Sequence, residues 1–105
     1  MKKIINGRIF DTEKAVLVGE VEASCGHGDF NWWKAGLYQT PVSKRFFISG
    51  EGGAMTMFSR TISQNEWSGG SKVIPMDNDE ALAWAEQYLN TEVIEKYFAD
   101  LIKEA

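Results

Sequence analysis

Cys25-Gly26-His27-Gly28-Asp29 brings the chain's only cysteine and only histidine together with a carboxylate. A thiol, an imidazole and a carboxylate so close have two chemical uses: as metal ligands, or as a nucleophile with its base. A structural zinc site takes four ligands, typically of Cys or His type, and the chain has two such residues. A nucleophile pair needs thiol and imidazole within hydrogen-bond reach and a third group to orient the base. At i and i+2 the two side chains meet only if the loop doubles back. The surrounding residues, 24–31, are glycine-rich and polar, so the stretch reads as a loop whose reactive side chains are incidental. No metal and no cofactor is expected.

Two glycine clusters invite comparison with phosphate cradles. A P-loop needs G-x-x-x-x-G-K-[ST] between a strand and a helix. Gly50-Glu51-Gly52-Gly53-Ala54-Met55-Thr56 lacks the lysine and puts a carboxylate where the phosphate would sit. Ser68-Gly69-Gly70-Ser71-Lys72 has a lysine but leads into a strand-like run and Pro75, so no helix dipole follows. Turns and close backbone approach are the expected jobs of both, with Gly50 to Gly53 marking where a strand leaves its sheet. No G-x-S-x-G nucleophile elbow occurs, which leaves the histidine without a serine partner. Hence no catalytic residue is assigned and a non-enzymatic role is expected.

The elements that would position any site fall into two regimes. Up to about Met76 the signals are β-type. Asn6-Gly7 between Lys3-Ile4-Ile5 and Arg8-Ile9-Phe10 predicts a hairpin, because both turn residues tolerate the positive φ of a type I′ turn. Ala15 to Val18 with Val21 predicts a strand. Trp33, Ala35 and Leu37 alternate on one face of the next, and Arg45 to Ser49 forms the second arm of another hairpin. Met55, Phe58 and Ile62 suggest one or two helical turns. Residues 67–72 read as a turn before the short strand Lys72-Val73-Ile74. Three or more of the four tryptophans are expected mostly in the core.

After Pro75 the period changes. Asp77 and Glu80 fit a capping box opening a helix over about 78–89, whose apolar stripe is Leu82, Ala85 and Leu89. Asn90-Thr91 breaks and recaps the chain, and Ile94, Phe98, Leu101 and Ala105 predict a second helix running to the end. The expected fold is therefore α+β: one domain over 1–105, with an antiparallel sheet of about four to six short strands in 1–76 covered by two helices in 77–105.

Composition sets the outer bounds. The chain has 105 residues, 44% hydrophobic and 25% charged, a balance that folds without a partner. No apolar run reaches the roughly 18 residues of a membrane span, the first residues lack a signal-peptide core, and one cysteine makes no internal disulfide, so a cytoplasmic protein is expected. The net charge of −4 is uneven: residues 1–50 carry seven basic and five acidic side chains, residues 77–105 eight acidic and two basic. An acidic surface repels phosphates, so no direct nucleic-acid binding is expected.

Ile5-Asn6-Gly7-Arg8-Ile9-Phe10-Asp11-Thr12-Glu13, Leu37-Tyr38-Gln39-Thr40, Gly50-Glu51-Gly52-Gly53, Ser68-Gly69-Gly70, and Ile74-Pro75-Met76 leading to Glu80-Ala81-Leu82-Ala83-Trp84-Ala85-Glu86 together resemble a family of small bacterial proteins typical of plasmids, integrative elements and prophages. The resemblance spans about residues 4–89 and carries no catalytic residues. It implies a mobile-element setting in a bacterial host cell, where small acidic proteins include inhibitors of host defence such as anti-CRISPR proteins. The expected partner is then a host protein, a CRISPR nuclease in particular. With the capping acids set aside, Glu86, Glu92, Glu95, Asp100 and Glu104 are the partner-binding candidates. An accessory or regulatory protein of the mobile element, acting through protein–protein contacts, is the alternative.

Overall fold

A computed structural model describes residues 2–23, 32–52, 60–63, 66–68 and 70–104. The reactive loop with Cys25, His27 and Asp29, together with Gly53 and residues 54–59, lies outside the described residues, so neither the loop reading nor most of the helical turn suggested at Met55 and Phe58 is tested.

The chain opens with the expected hairpin. Strands β1 (Lys2–Ile5) and β2 (Arg8–Asp11) pair antiparallel with Ile5 opposite Arg8. Asn6 and Gly7 have φ of 52° and 76°, the left-handed pair that a two-residue turn between twisted strands demands. A four-stranded antiparallel sheet follows, in the order β3 (Val16–Glu22), β4 (Trp33–Gln39), β5 (Phe46–Gly52) and β8 (Gly70–Met76). Between β5 and β8, β6 (Arg60–Ser63) and β7 (Glu66–Ser68) form a separate two-stranded ribbon. Pro75, which has no N–H to give a ladder, sits opposite Phe47 on β8, an edge strand where that loss is tolerated.

Two helices complete the α+β fold: α1 (Asn78–Tyr88) and α2 (Thr91–Tyr97). Alternation along the strands divides their side chains between two cores. On the helical face, Val18, Ala35, Leu37, Phe46 and Ile48 pack with Ala81, Trp84 and Ala85 of α1 and with Phe98. On the opposite face, Phe47 and Val73 pack with Phe10 of the N-terminal hairpin, Ile5, Ala15 and Tyr38 closing around them. The sheet is thus covered on both faces, the helices on one and the β1–β2 hairpin on the other. Of the tryptophans, Trp32 and Trp84 are buried, and Trp33 is half-buried against the helical core with its ring edge-on to Tyr88 at 5.2 Å.

Four local expectations are corrected. Gly50 to Gly52 do not leave the sheet: β5 runs through them, with Ala35 and Lys72 opposite Gly50 and Lys34 and Ser71 opposite Glu51. A strand hydrogen-bonded on both sides does not need side chains with strand propensity, and tertiary pairing overrides the turn signal of glycine. Gly70 and Ser71, expected in a turn, begin β8 because Gly52 and Glu51 of β5 pair with them, and Trp67 and Ser68 of the same expected turn lie in β7; the strand expected from Lys72 is the continuation of β8. Residues 60–63, the end of the suggested helical turn, are the strand β6, as their serine- and threonine-rich composition allows. Finally, α2 stops at Tyr97. Phe98 caps it with φ −123° and ψ 22°, and a turn follows in which Leu101 donates to the Phe98 carbonyl at 2.9 Å.

Candidate partner-binding surface

The acidic surface is built from the helix starts outward. Asp77 Oδ1 accepts the Glu80 N–H at 2.8 Å, and Glu80 Oε1 accepts the Asp77 N–H at 3.2 Å, the reciprocal pair of a capping box. Asn90 Oδ1 accepts the Val93 N–H at 2.9 Å and starts α2. Such caps satisfy amides that a helix leaves open, each worth about 1 kcal/mol. The carboxylates of Asp77 and Glu80 are therefore committed to holding the backbone, as their setting aside from the candidate surface anticipates.

Packing then fixes the orientation of the layer. Ala81, Trp84 and Ala85 turn one face of α1 into the sheet, which leaves Glu86 exposed. In α2, Val93, Ile94 and Tyr97 are half-buried against the core, and Glu92 and Glu95, three residues apart, stand exposed on the solvent side. Lys96 Nζ lies 5.4 Å from the Tyr97 ring centroid, a contact that draws this cation toward its own helix. Asp100 and Glu104 are also exposed but do not extend the helical stripe: Asp100 belongs to the turn after Phe98, and Glu104 to the irregular chain beyond. All five candidates thus face solvent, three on helices and two on the segment that follows.

The charge division seen along the sequence becomes a division in space. The helical face of the sheet carries the segment with eight acidic and two basic side chains, while on the other face the hairpin and the turn after it carry Lys2, Lys3, Arg8 and Lys14 against Asp11 and Glu13, and the sheet adds Lys34 against Glu20 and Glu51. A molecule polarised in this way turns its helices toward a positive surface during approach, over a range set by a Debye length of about 8 Å at physiological salt.

The polar end of the sheet's hairpin face holds a second feature, missed in the sequence because it depends on strand register. Glu20, Lys34, Gly36, Tyr38, Ser49 and Glu51 line a shallow open depression of about 230 Å³. Burial, and then the Glu20 carboxylate, push the Tyr38 phenol above its usual pKa. Charges of both signs meet there, and the depression presents no single-sign field.

Comparison with protein-family models, with curated proteins and with solved structures found no match.

Proposed function

We propose that the protein is a non-enzymatic inhibitor of a host defence nuclease, of the anti-CRISPR type, whose acidic helical layer docks on the basic surface where the nuclease holds nucleic acid. The observation that carries this reading is the division of labour among the acids of the helical segment. Asp77 and Glu80 are consumed as caps, whereas Glu86, Glu92 and Glu95 are exposed on a layer anchored by Trp84, Ala85 and Phe98, and Asp100 and Glu104 are exposed on the segment that follows it. Carboxylates held on a packed layer lose little conformational freedom when they meet arginines, and charge pairs desolvated in an interface reach coupling energies of about 1.5–7 kcal/mol, far above exposed pairs. The mobile-element setting that the sequence resemblance implies is part of this proposal and directs the choice of partner class.

The test is a cleavage assay with purified CRISPR nucleases, preincubated with the protein and then given guide and target. Inhibition relieved by excess guide or target nucleic acid supports occupation of the nucleic-acid path. Failure to inhibit any nuclease in a panel spanning the major types contradicts the proposal and leaves the accessory-protein reading.

A further inference from the structure

The hairpin face carries a groove that the acidic layer does not use. One wall is residues 7–11, the turn and strand β2; the other is residues 40–43 of the β4–β5 turn, with Lys14 and Arg45 completing it around a volume of about 470 Å³. The second wall is braced by polar bonds. The Arg45 N–H donates to Thr40 Oγ1 at 2.9 Å, the Thr40 and Ser43 hydroxyls lie 3.0 Å apart, and Lys44 takes the left-handed φ of 57°.

Two independent observations define what fits between the walls. The first is the open edge of β2. The β1–β2 ribbon has two strands, so β2 has one neighbour among the described residues. In a two-residue hairpin the residues flanking the turn, Ile5 and Arg8, form a hydrogen-bonded pair, and alternation makes Ile4 and Ile9 a pair that does not exchange bonds. The Ile9 N–H and C=O therefore point away from β1, and neither has a partner among the described residues. Asp11 is the next residue whose N–H and C=O point outward, and its carbonyl is already taken by the Lys14 and Ala15 N–H groups at 3.3 and 3.0 Å. Any added strand is thus short and centred on Ile9.

The second observation is the chemistry of the lining. Arg8, Lys14 and Arg45 outnumber the one carboxylate, Asp11, so the groove selects negative charge. Val42 is 90% exposed and Ile9 56% exposed, and apolar side chains at these positions give nothing to a bare phosphate but are covered by the side chains of a peptide. An acidic, partly apolar segment matches both properties.

We propose that this groove binds an extended acidic peptide segment of a partner protein, which adds a strand to the β2 edge at Ile9 while its carboxylates meet Arg8, Lys14 and Arg45. This is strand addition, in which main-chain bonds supply affinity and alternate side chains supply specificity. It stands independently of the acidic layer and of the nuclease proposal.

The experiment is an amide NMR titration of the full chain with a short peptide of alternating glutamate and valine. Saturable shifts confined to residues 7–11 and 40–45, with slowed hydrogen exchange at the Ile9 amide, are expected. Arg45→Glu and Arg8→Glu should each weaken binding about tenfold or more. A version of the peptide N-methylated at alternate residues, which leaves the protein untouched, should lose binding. Shifts on the helices instead, equal binding of a lysine–valine peptide or of the N-methylated peptide, tighter binding of inorganic phosphate or duplex DNA, self-association of the chain through the same residues, or no saturable binding would each overturn the proposal.

Discussion

The rings of Phe98 and Phe46 stack at 4.8 Å with 15° between their planes. This contact joins the residue that ends α2 to a strand in the middle of the sheet, and Phe98 is 1% exposed. The placement of Glu92 and Glu95 depends on it, because no residue within α2 itself is fully buried. Phe98→Ala should cost about 3–5 kcal/mol of unfolding free energy, as for a large aromatic removed from a core. Urea denaturation followed by fluorescence measures it. A loss under about 1 kcal/mol would mean that the stack is not what anchors the helix.

The caps make a smaller and separable contribution. Asp77→Ala and Asn90→Ala should each destabilise by about 1 kcal/mol, and Asn90→Gly by only a few tenths, because glycine suits the cap backbone without supplying the side-chain oxygen. Thermal unfolding of the three variants checks the ranking. Equal effects of the alanine and glycine changes at position 90 would contradict a capping role for Asn90.

Much of this was legible in the chain because it is local. Asn6-Gly7 carries its turn in two residues, and Asp77 with Glu80 carries its cap in four. What could not be read is what depends on distant neighbours. Nothing near Gly50 announces that β4 and β8 pair with it from both sides, nor does anything in Ile9-Phe10 say that Phe10 packs against Phe47 at 5.3 Å, across the sheet from the helices. The periodicity of Ile94, Phe98, Leu101 and Ala105 suggested more helix than exists because Leu101 keeps the spacing of the buried stripe, yet it is 37% exposed and lies in the turn after Phe98. Among the site residues, the five carboxylates were picked out only as the acids left once the capping ones are set aside; the location of Asp100 and Glu104 beyond the helix was not legible, because it depends on where α2 stops. The groove beside Ile9 brings together residues more than thirty positions apart, and only the fold shows it.

A close approach tests how tightly the helical layer lies on the sheet. A Cβ built on Gly19 would stand 2.6 Å from Leu89 Cδ2, where α1 ends. Gly19→Val should cost about 1–3 kcal/mol through overpacking, and adding Leu89→Ala should return part of that loss. A double-mutant cycle with no coupling would show that the two residues do not contend for the same space.

Tyr38 gives the fold a dependence on high pH. Its pKa is raised by burial and then by Glu20, so the folded state keeps the phenol protonated to higher pH than the unfolded chain, whose tyrosines titrate near about 10. The associated stability is present below that value and is lost as pH rises through the folded pKa. Glu20→Gln should shift the Tyr38 tyrosinate absorbance transition to lower pH, with Tyr38→Phe identifying its share of the signal. A transition that stays in place or moves upward would show that Glu20 does not act on the phenol.

The central claim is that exposed carboxylates of the helical layer do the binding. The most direct measurement is the inhibition constant against a susceptible CRISPR nuclease for the wild-type chain and for the combined variant Glu92→Lys, Glu95→Lys and Asp100→Lys, with circular dichroism and urea denaturation confirming an intact fold. The expected result is a loss of inhibition of about a hundredfold or more, which corresponds to roughly 2.7 kcal/mol. Full inhibition by the folded, charge-reversed variant would contradict the claim.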